Sequence, residues 1–375
     1  MSAYPLEPAS AESLGFHRPA LARLEQIINA HIAAGRYPGA QFALARHGKL
    51  AMLKSFGRAA LAPERALCDD TLFLMFSNTK VITAAGIWAL VEDGALSFTD
   101  RIAKHIPEFA QHGKGEITIS QLLSHRAGFP TQDVPSSAWT DHALMRERVC
   151  AFTLEWTPGS RLVYHQRSAH WTAATLIEAL TGTDYREFLR KRITEPLGIA
   201  DDLFIGVPDA VQPRAATMYV PTPDGALTPL ALENTPAYRA AGIPSSGGFT
   251  TARACVALYQ MMLGGGRVNG VRLFSPRLIQ YVTRNVTGET FDQFMGMPMH
   301  RGLGTHQRGT TESIRGLGSL ASPNTFGHGG AGNSYCWGDP DSGVSFAYLS
   351  NCRIPDPWHS ERLEIISNLV HTAID

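Results

Sequence analysis

Ser77-Asn78-Thr79-Lys80 holds a serine three residues before a lysine, where an apolar run of helical period begins. One helical turn brings both side chains to the same face. A lysine amine kept neutral by burial and neighbours can take the serine's proton and make the hydroxyl a nucleophile. The chain has only six lysines (Lys49, Lys54, Lys80, Lys104, Lys114 and Lys191), and only Lys80 follows a serine at that spacing. The same pair is common on solvated helix faces, so the spacing needs support from elsewhere. Two stretches offer it. Residues 156–166 place Tyr164 and Gln166 after a Pro-Gly turn and before a helix. Residues 326–332 form a glycine-rich approach to a strand, with His328, Gly329, Gly330 and Ala331.

The elements that must hold these residues are legible in outline. His17 to Ala34 carries Leu21, Leu24, Ile27, Ile28 and Ile32 at helical spacing, with Gly35 as a C-cap. Gln41 to Ala45 and Leu50 to Phe56 read as strands joined by a tight His47-Gly48 turn. Ser77 to Asp93 is predicted helical, with an apolar stripe of Val81, Ala84, Ala85, Trp88 and Val91. Short helices follow at Ile119 to His125, capped by Thr118, at Ser168 to Leu180 and at Tyr185 to Ile193. Val207 to Ser246 shows no period and reads as an irregular but apolar excursion. Thr251 to Leu263 is a helix closed by three glycines. Asn333 to Trp337 and Val344 to Leu349 are strands around a 339–343 turn, and Leu363 to Ile374 is a last helix. The two ends would complete one antiparallel sheet. This organisation is α+β: residues 1–76 and 205–375 form a discontinuous sheet domain, and residues 77–204 an inserted, mainly helical one. The site would lie between them.

Composition bounds the function. The chain has 375 residues, 44% hydrophobic and 18% charged, as in soluble globular proteins. Lys+Arg equals Asp+Glu at 33 each, which argues against an electrostatic nucleic-acid binder. No apolar run is long enough to span a bilayer, and residues 1–7 lack a secretory signal, so a cytoplasmic location is expected. Cys68, Cys150, Cys255, Cys336 and Cys352 match neither a disulfide scaffold nor a zinc site, and are expected to be buried thiols. Neither a G-x-S-x-G elbow nor H-E-x-x-H is present, and the fourteen histidines are scattered. No metal or cofactor is expected.

In their order and separation, the three candidate segments resemble the motifs of the serine β-lactamase and penicillin-binding-protein superfamily. They look most like its class C and family VIII esterase branch. The family pattern is S-x-x-K, then Y-x-N or Y-x-S, then K-T-G, H-x-G or W-x-G. Residues 90–96, 117–128, 196–199 and 247–252 also resemble family segments. The likeness implies a β-lactamase-like fold, with an antiparallel sheet flanked by helices. It implies Ser77 as nucleophile, Lys80 as base or base partner, and Tyr164 sharing protons with both. It puts an oxyanion hole at the amides of Ser77 and Ala331, where two donors contribute roughly 3 kcal/mol each. Gly329 and Gly330 would let a strand edge approach the substrate. His328 stands at the K-T-G lysine and would donate to Tyr164 or to a substrate carbonyl, or merely pack against the turn. Gln166 replaces the usual Asn or Ser.

The missing Lys and Thr weaken recognition of a carboxylated lactam. A serine hydrolase acting on small neutral esters is the reading, with no cofactor and a small-molecule ester or amide as partner. Acyl transfer, amidase or D-peptidase activity on the same acyl-enzyme, and weak β-lactamase side activity, stay open. So does a non-catalytic scaffold, which an open cleft with Ser77 at its base would oppose. Oligomeric state is not readable. His125 sits in a segment that resembles a structural one, and His165 could face the pocket or solvent. Trp139 and Phe294 could line a pocket or pack as core. Residues 130–150, 205–245 and 285–320 should shape the pocket.

Overall fold

The computed structural model describes residues 5–311 and 316–375. Residues 1–4, on which part of the signal-peptide reading rests, lie outside the described residues. So do residues 312–315, within the pocket-shaping stretch 285–320. The two chain ends meet in one sheet, ordered Lys49–Leu61, Gly39–Arg46, Val344–Ser350, Ser334–Asp339, Phe326–Gly329 and His306–Gln307, all antiparallel. The expected antiparallel sheet is therefore found, with one exception. Glu7–Pro8 adds a parallel edge against Lys49 and Leu50. His47 and Gly48 both take positive φ, at 52° and 74°, which is the geometry of a tight two-residue hairpin.

Strand alternation sorts side chains to two faces, and both are covered. Phe42, Leu44, Trp337, Phe346 and Tyr348 point to one face. There they meet Leu21, Leu24 and Ile28 of the Arg18–Ala33 helix and Leu363, Ile366 and Val370 of the Trp358–His371 helix. The opposite face carries small residues, Ala43, Ala45 and Ala347, so the Ala252–Leu263 helix can lie close. Gln260 of that helix is buried and donates to the Ala45 carbonyl (3.2 Å) and Ser345 Oγ (3.0 Å).

The helix that follows Ser77 differs from its expected form. It spans Thr79–Glu92, and every residue from Thr79 to Leu90 is buried, so the apolar stripe is only part of an all-round buried surface. Gly86 allows this. A Cβ there would lie 2.6 Å from Leu189 and 2.8 Å from Ile177, so glycine lets the Ser168–Thr181 and Tyr185–Leu189 helices approach. The Val207 to Ser246 stretch is less irregular than expected. It carries a Tyr219–Pro221/Leu227–Pro229 hairpin and a Pro236–Ala241 helix. Cys68 is exposed, unlike the other four cysteines, which corrects the expectation of five buried thiols. No helix among the described residues is long and apolar enough to cross a membrane.

Candidate active site

Ser77 is not the first residue of the α-helix. It occupies a 3-10 turn, Phe76–Asn78, that feeds into the helix at Thr79. Phe76 has φ of +43°, a left-handed conformation that is costly for a bulky side chain. The surroundings hold it there. Met75 donates its amide to the Gly248 carbonyl (2.8 Å), and Asn333 Nδ2 donates to the Leu74 carbonyl (2.7 Å). The turn presents Ser77, half-buried, to a cleft of about 370 Å³ also lined by Tyr164, Gln166, His328 and Ala331.

Lys80 is fully buried one helical turn on. Its Nζ lies 3.2 Å from Ser77 Oγ, 2.7 Å from the Gln166 carbonyl and 3.0 Å from the Ser245 carbonyl. Burial drives its pKa well below the lysine range, and the nearby Arg167 and Arg301 guanidiniums push the same way. A neutral amine has two N–H donors and one lone pair. Carbonyls only accept, so the two N–H bonds go to Gln166 and Ser245. The lone pair then faces the Ser77 hydroxyl.

Tyr164 is buried beside Ser77. Burial raises its pKa to about 12, against the opposing pull of Ser77 and Arg301. Its ring lies beside Lys80 Nζ, 5.0 Å from the centroid, and beside the Arg301 guanidinium carbon, 4.9 Å from it. The His125 ring packs at 4.7 Å. The Tyr164 backbone is held by a residue the sequence reading missed: its amide donates to Asp292 Oδ1 (3.1 Å). Asp292 in turn accepts from Arg301 Nη2 (2.6 Å) in an ion pair that is 0% and 1% exposed. A buried pair nine residues apart has no motif, so nothing local signalled it.

Phe326 to Gly329 is itself a strand rather than an approach to one. His306 and Gln307 pair with its first half, which leaves the stretch from His328 to Ala331 open toward the cleft. The two glycines serve packing. A Cβ on Gly330 would lie 2.6 Å from the Met75 carbonyl oxygen, and one on Gly329 would lie 2.8 Å from the Tyr335 ring. They let the strand close on the nucleophile turn and on Tyr335, rather than on substrate alone. Asn78, also unforeseen, ties the same junction. Its amide lies 2.9 Å from Ser334 Oγ; turned so that nitrogen faces the His328 carbonyl, its oxygen accepts from the Gly330 amide (3.2 Å). His328 is buried and stacks on His306 with centroids 4.0 Å apart. Its Nδ1 lies 2.9 Å from the Gly329 carbonyl, and burial holds its pKa well below the usual histidine range. It lines the cleft, so both its packed and its substrate-facing readings describe one position.

The remaining candidates separate. Gln166 is exposed at the cleft, while its carbonyl holds Lys80, a backbone role that residue type did not signal. Ala331 is exposed and lines the cleft together with Ser77. His165 faces neither pocket nor solvent. It is buried against Phe129, donates from Nδ1 to the Val163 carbonyl (2.7 Å) and accepts the Phe129 amide at Nε2 (3.2 Å). Burial lowers its pKa to about 4. Trp139 packs on Tyr238 in the core, whereas Phe294 is 51% exposed and lines the cleft. No cleft-lining residue comes from 130–150, contrary to expectation; that stretch acts through Asp133, paired with Arg167 (2.9 Å). His142, Glu178 and Asp184 converge elsewhere, but the Arg186 guanidinium lies between, 2.9 Å from His142 Nε2 and also paired with Asp184.

A serine and a buried lysine in contact, with a phenol beside them and a glycine-rich strand nearby, define a class of serine hydrolase. Residues 24–368 match the β-lactamase family, and the chain belongs to it. It is a serine hydrolase of the β-lactamase and penicillin-binding-protein superfamily. It is 30% identical over 312 residues to "Esterase/beta-lactamase LipL" of Mycobacterium tuberculosis, covering 75% of this chain and 70% of that protein. The fold is similar to that of a penicillin-binding protein homologue from Caulobacter crescentus (TM-score 0.80, 30% identity, 93% of this chain and 97% of that one). It is also similar to a family VIII carboxylesterase (TM-score 0.80, 26% identity, 94% and 98%).

Proposed function

We propose that the chain is a carboxylesterase that acylates Ser77 and releases the acyl group to water, acting on small neutral esters. The observation that carries this reading is the placement of Lys80. Two backbone carbonyls take its N–H bonds, so its lone pair meets Ser77 Oγ in a cleft open to solvent. Lys80 is then the general base, because a phenol held near pKa 12 is protonated at neutral pH. Tyr164 relays the proton to the departing alkoxide. The amides of Ser77 and Ala331 receive the oxyanion. The cleft opposes a scaffold role, since Ser77 is accessible at its floor.

The substrate class follows from charge. His328 is neutral and buried where a lysine would meet a carboxylate. Arg167 is tied to Asp133, and Arg353 lines the same cleft as Glu233 and Asp356. Acidic residues in the lining oppose a carboxylated lactam. Likeness to an esterase/β-lactamase and to a family VIII carboxylesterase supports the ester reading.

The pH profile tests the base. Protonating Lys80 fills the lone pair, so kcat/KM for a neutral ester should fall at acid pH and rise as the amine is freed. The depressed Lys80 pKa places this limb well below the ordinary lysine range. Tyr164 predicts no alkaline loss until about pH 12, or until the fold fails. A rate that rose only above about pH 10, the free-lysine value, would contradict a neutral Lys80.

Intact-mass spectrometry tests the function. The protein is mixed with p-nitrophenyl acetate, a cephalosporin or a fluorophosphonate. A fluorophosphonate adduct on Ser77, with ester turnover and little cephalosporin turnover, is expected. Rapid cephalosporin turnover would replace the esterase assignment with a β-lactamase one. No adduct with any reagent would sink the acyl-enzyme.

A further inference from the structure

The cleft lining is chemically mixed. It includes Ser77, Ala331 and the glycine-rich strand. It also includes the tip of a short hairpin, Phe291–Asp292 paired with Met297–Pro298. Its tip carries Phe294 and Met295, and both line the cleft. The tip is tightly set. Asp292 Oδ1 accepts the amides of Phe294 (3.0 Å) and Met295 (3.2 Å) as well as that of Tyr164. Gly296, at φ of +70°, turns the chain and donates to the Asp292 carbonyl (2.9 Å). One buried carboxylate therefore fixes both the proposed proton relay and the tip beside it. The Phe294 ring lies 5.8 Å from that of Tyr164, yet half of Phe294 remains exposed. A rigidly held, uncovered aromatic in a reaction cleft is a surface for an apolar ligand group.

Which half of the ester meets it follows from the proton's path. The Ser77 Oγ–carbonyl bond forms and the carbonyl–alkoxide bond breaks. The Ser77 proton passes through Lys80 and Tyr164 to the departing alkoxide, so the alcohol leaves on the Tyr164 side. We propose that Phe294 and Met295 form the binding surface for the alcohol half of the ester and select apolar, aromatic alcohols. This rests on the acyl-enzyme reading above. By microscopic reversibility the same surface receives an incoming apolar alcohol. Its hydroxyl proton goes to Lys80 by way of Tyr164, its oxygen bonds the acyl carbon, and Ser77 Oγ departs and is reprotonated. The enzyme thereby transfers acyl groups to apolar alcohols in competition with hydrolysis.

The test holds the acyl group constant. Ethyl, benzyl and 2-phenylethyl acetate all give the same acetyl-enzyme, so only the alcohol half varies. Phe294→Ala should lower the benzyl-to-ethyl ratio of kcat/KM about tenfold, the scale of one lost apolar subsite contact. Phe294→Leu should recover part of it. The ratios across ethyl acetate, butyrate and hexanoate should follow those of the unaltered protein. With benzyl alcohol present, the fraction of acetyl groups captured as benzyl acetate should fall in Phe294→Ala. Circular dichroism checks that each variant is folded. An unchanged benzyl-to-ethyl ratio, or an altered acyl-chain ratio instead, would overturn the assignment while leaving the acyl-enzyme intact. Absence of turnover and of a fluorophosphonate adduct in the unaltered protein would overturn both.

Discussion

Ser77→Ala should abolish ester turnover, a loss on the order of 10⁶-fold in kcat where a serine enzyme loses its nucleophile. Lys80→Met should lower kcat about 10²–10⁴-fold, the usual effect of a general base. The two variants should differ in stability. Ser77 is half-buried and faces a cleft open to solvent, and its hydroxyl pairs with Lys80 Nζ, so alanine leaves little unsatisfied. Lys80→Met instead strips the donor from the Gln166 carbonyl and from the buried Ser245 carbonyl. An unsatisfied buried acceptor costs about 1–3 kcal/mol. A denaturant midpoint lowered in Lys80→Met but not in Ser77→Ala is therefore expected. Wild-type turnover in folded Ser77→Ala would show that the nucleophile lies elsewhere.

Asp292→Asn should damage both stability and rate, although Asp292 touches no reacting atom. The substitution leaves the Arg301 guanidinium buried without its charge partner and turns an amide N–H₂ toward it. Breaking a buried ion pair from one side costs about 3–5 kcal/mol. The catalytic loss follows because the same carboxylate positions the backbone of Tyr164 and of the Phe294 tip. The effect on rate should appear mainly in kcat, since proton relay depends on where the phenol is held. Adding Arg301→Met removes the stranded cation, so the double variant should be more stable than Asp292→Asn alone. Denaturant melts of the four proteins in the cycle measure this coupling. Additive losses would mean that the two residues act independently.

Several features of the site are written locally. The Ser77 and Lys80 pairing needs only the helical repeat, and their 3.2 Å contact follows from it. The His47-Gly48 turn, the Thr118 cap and the meeting of both chain ends in one sheet rest on turn chemistry and periodicity over a few residues. Tyr164 was reachable through a motif. The features that suit Lys80 to the proposed role of base were not. Its two carbonyl partners lie 86 and 165 residues away, and a backbone carbonyl is the same in every residue type. Its burial depends on the all-round packing of the Thr79–Glu92 helix, where periodicity showed only one stripe. Asp292, Arg301 and Asn78 carry no spacing signature, because their partners are brought close by the fold alone. The sequence by itself determined the reactive residue types and the helical turn that pairs two of them. Only the tertiary structure decided protonation and substrate access, because desolvation and long-range hydrogen bonding depend on what surrounds a group in space.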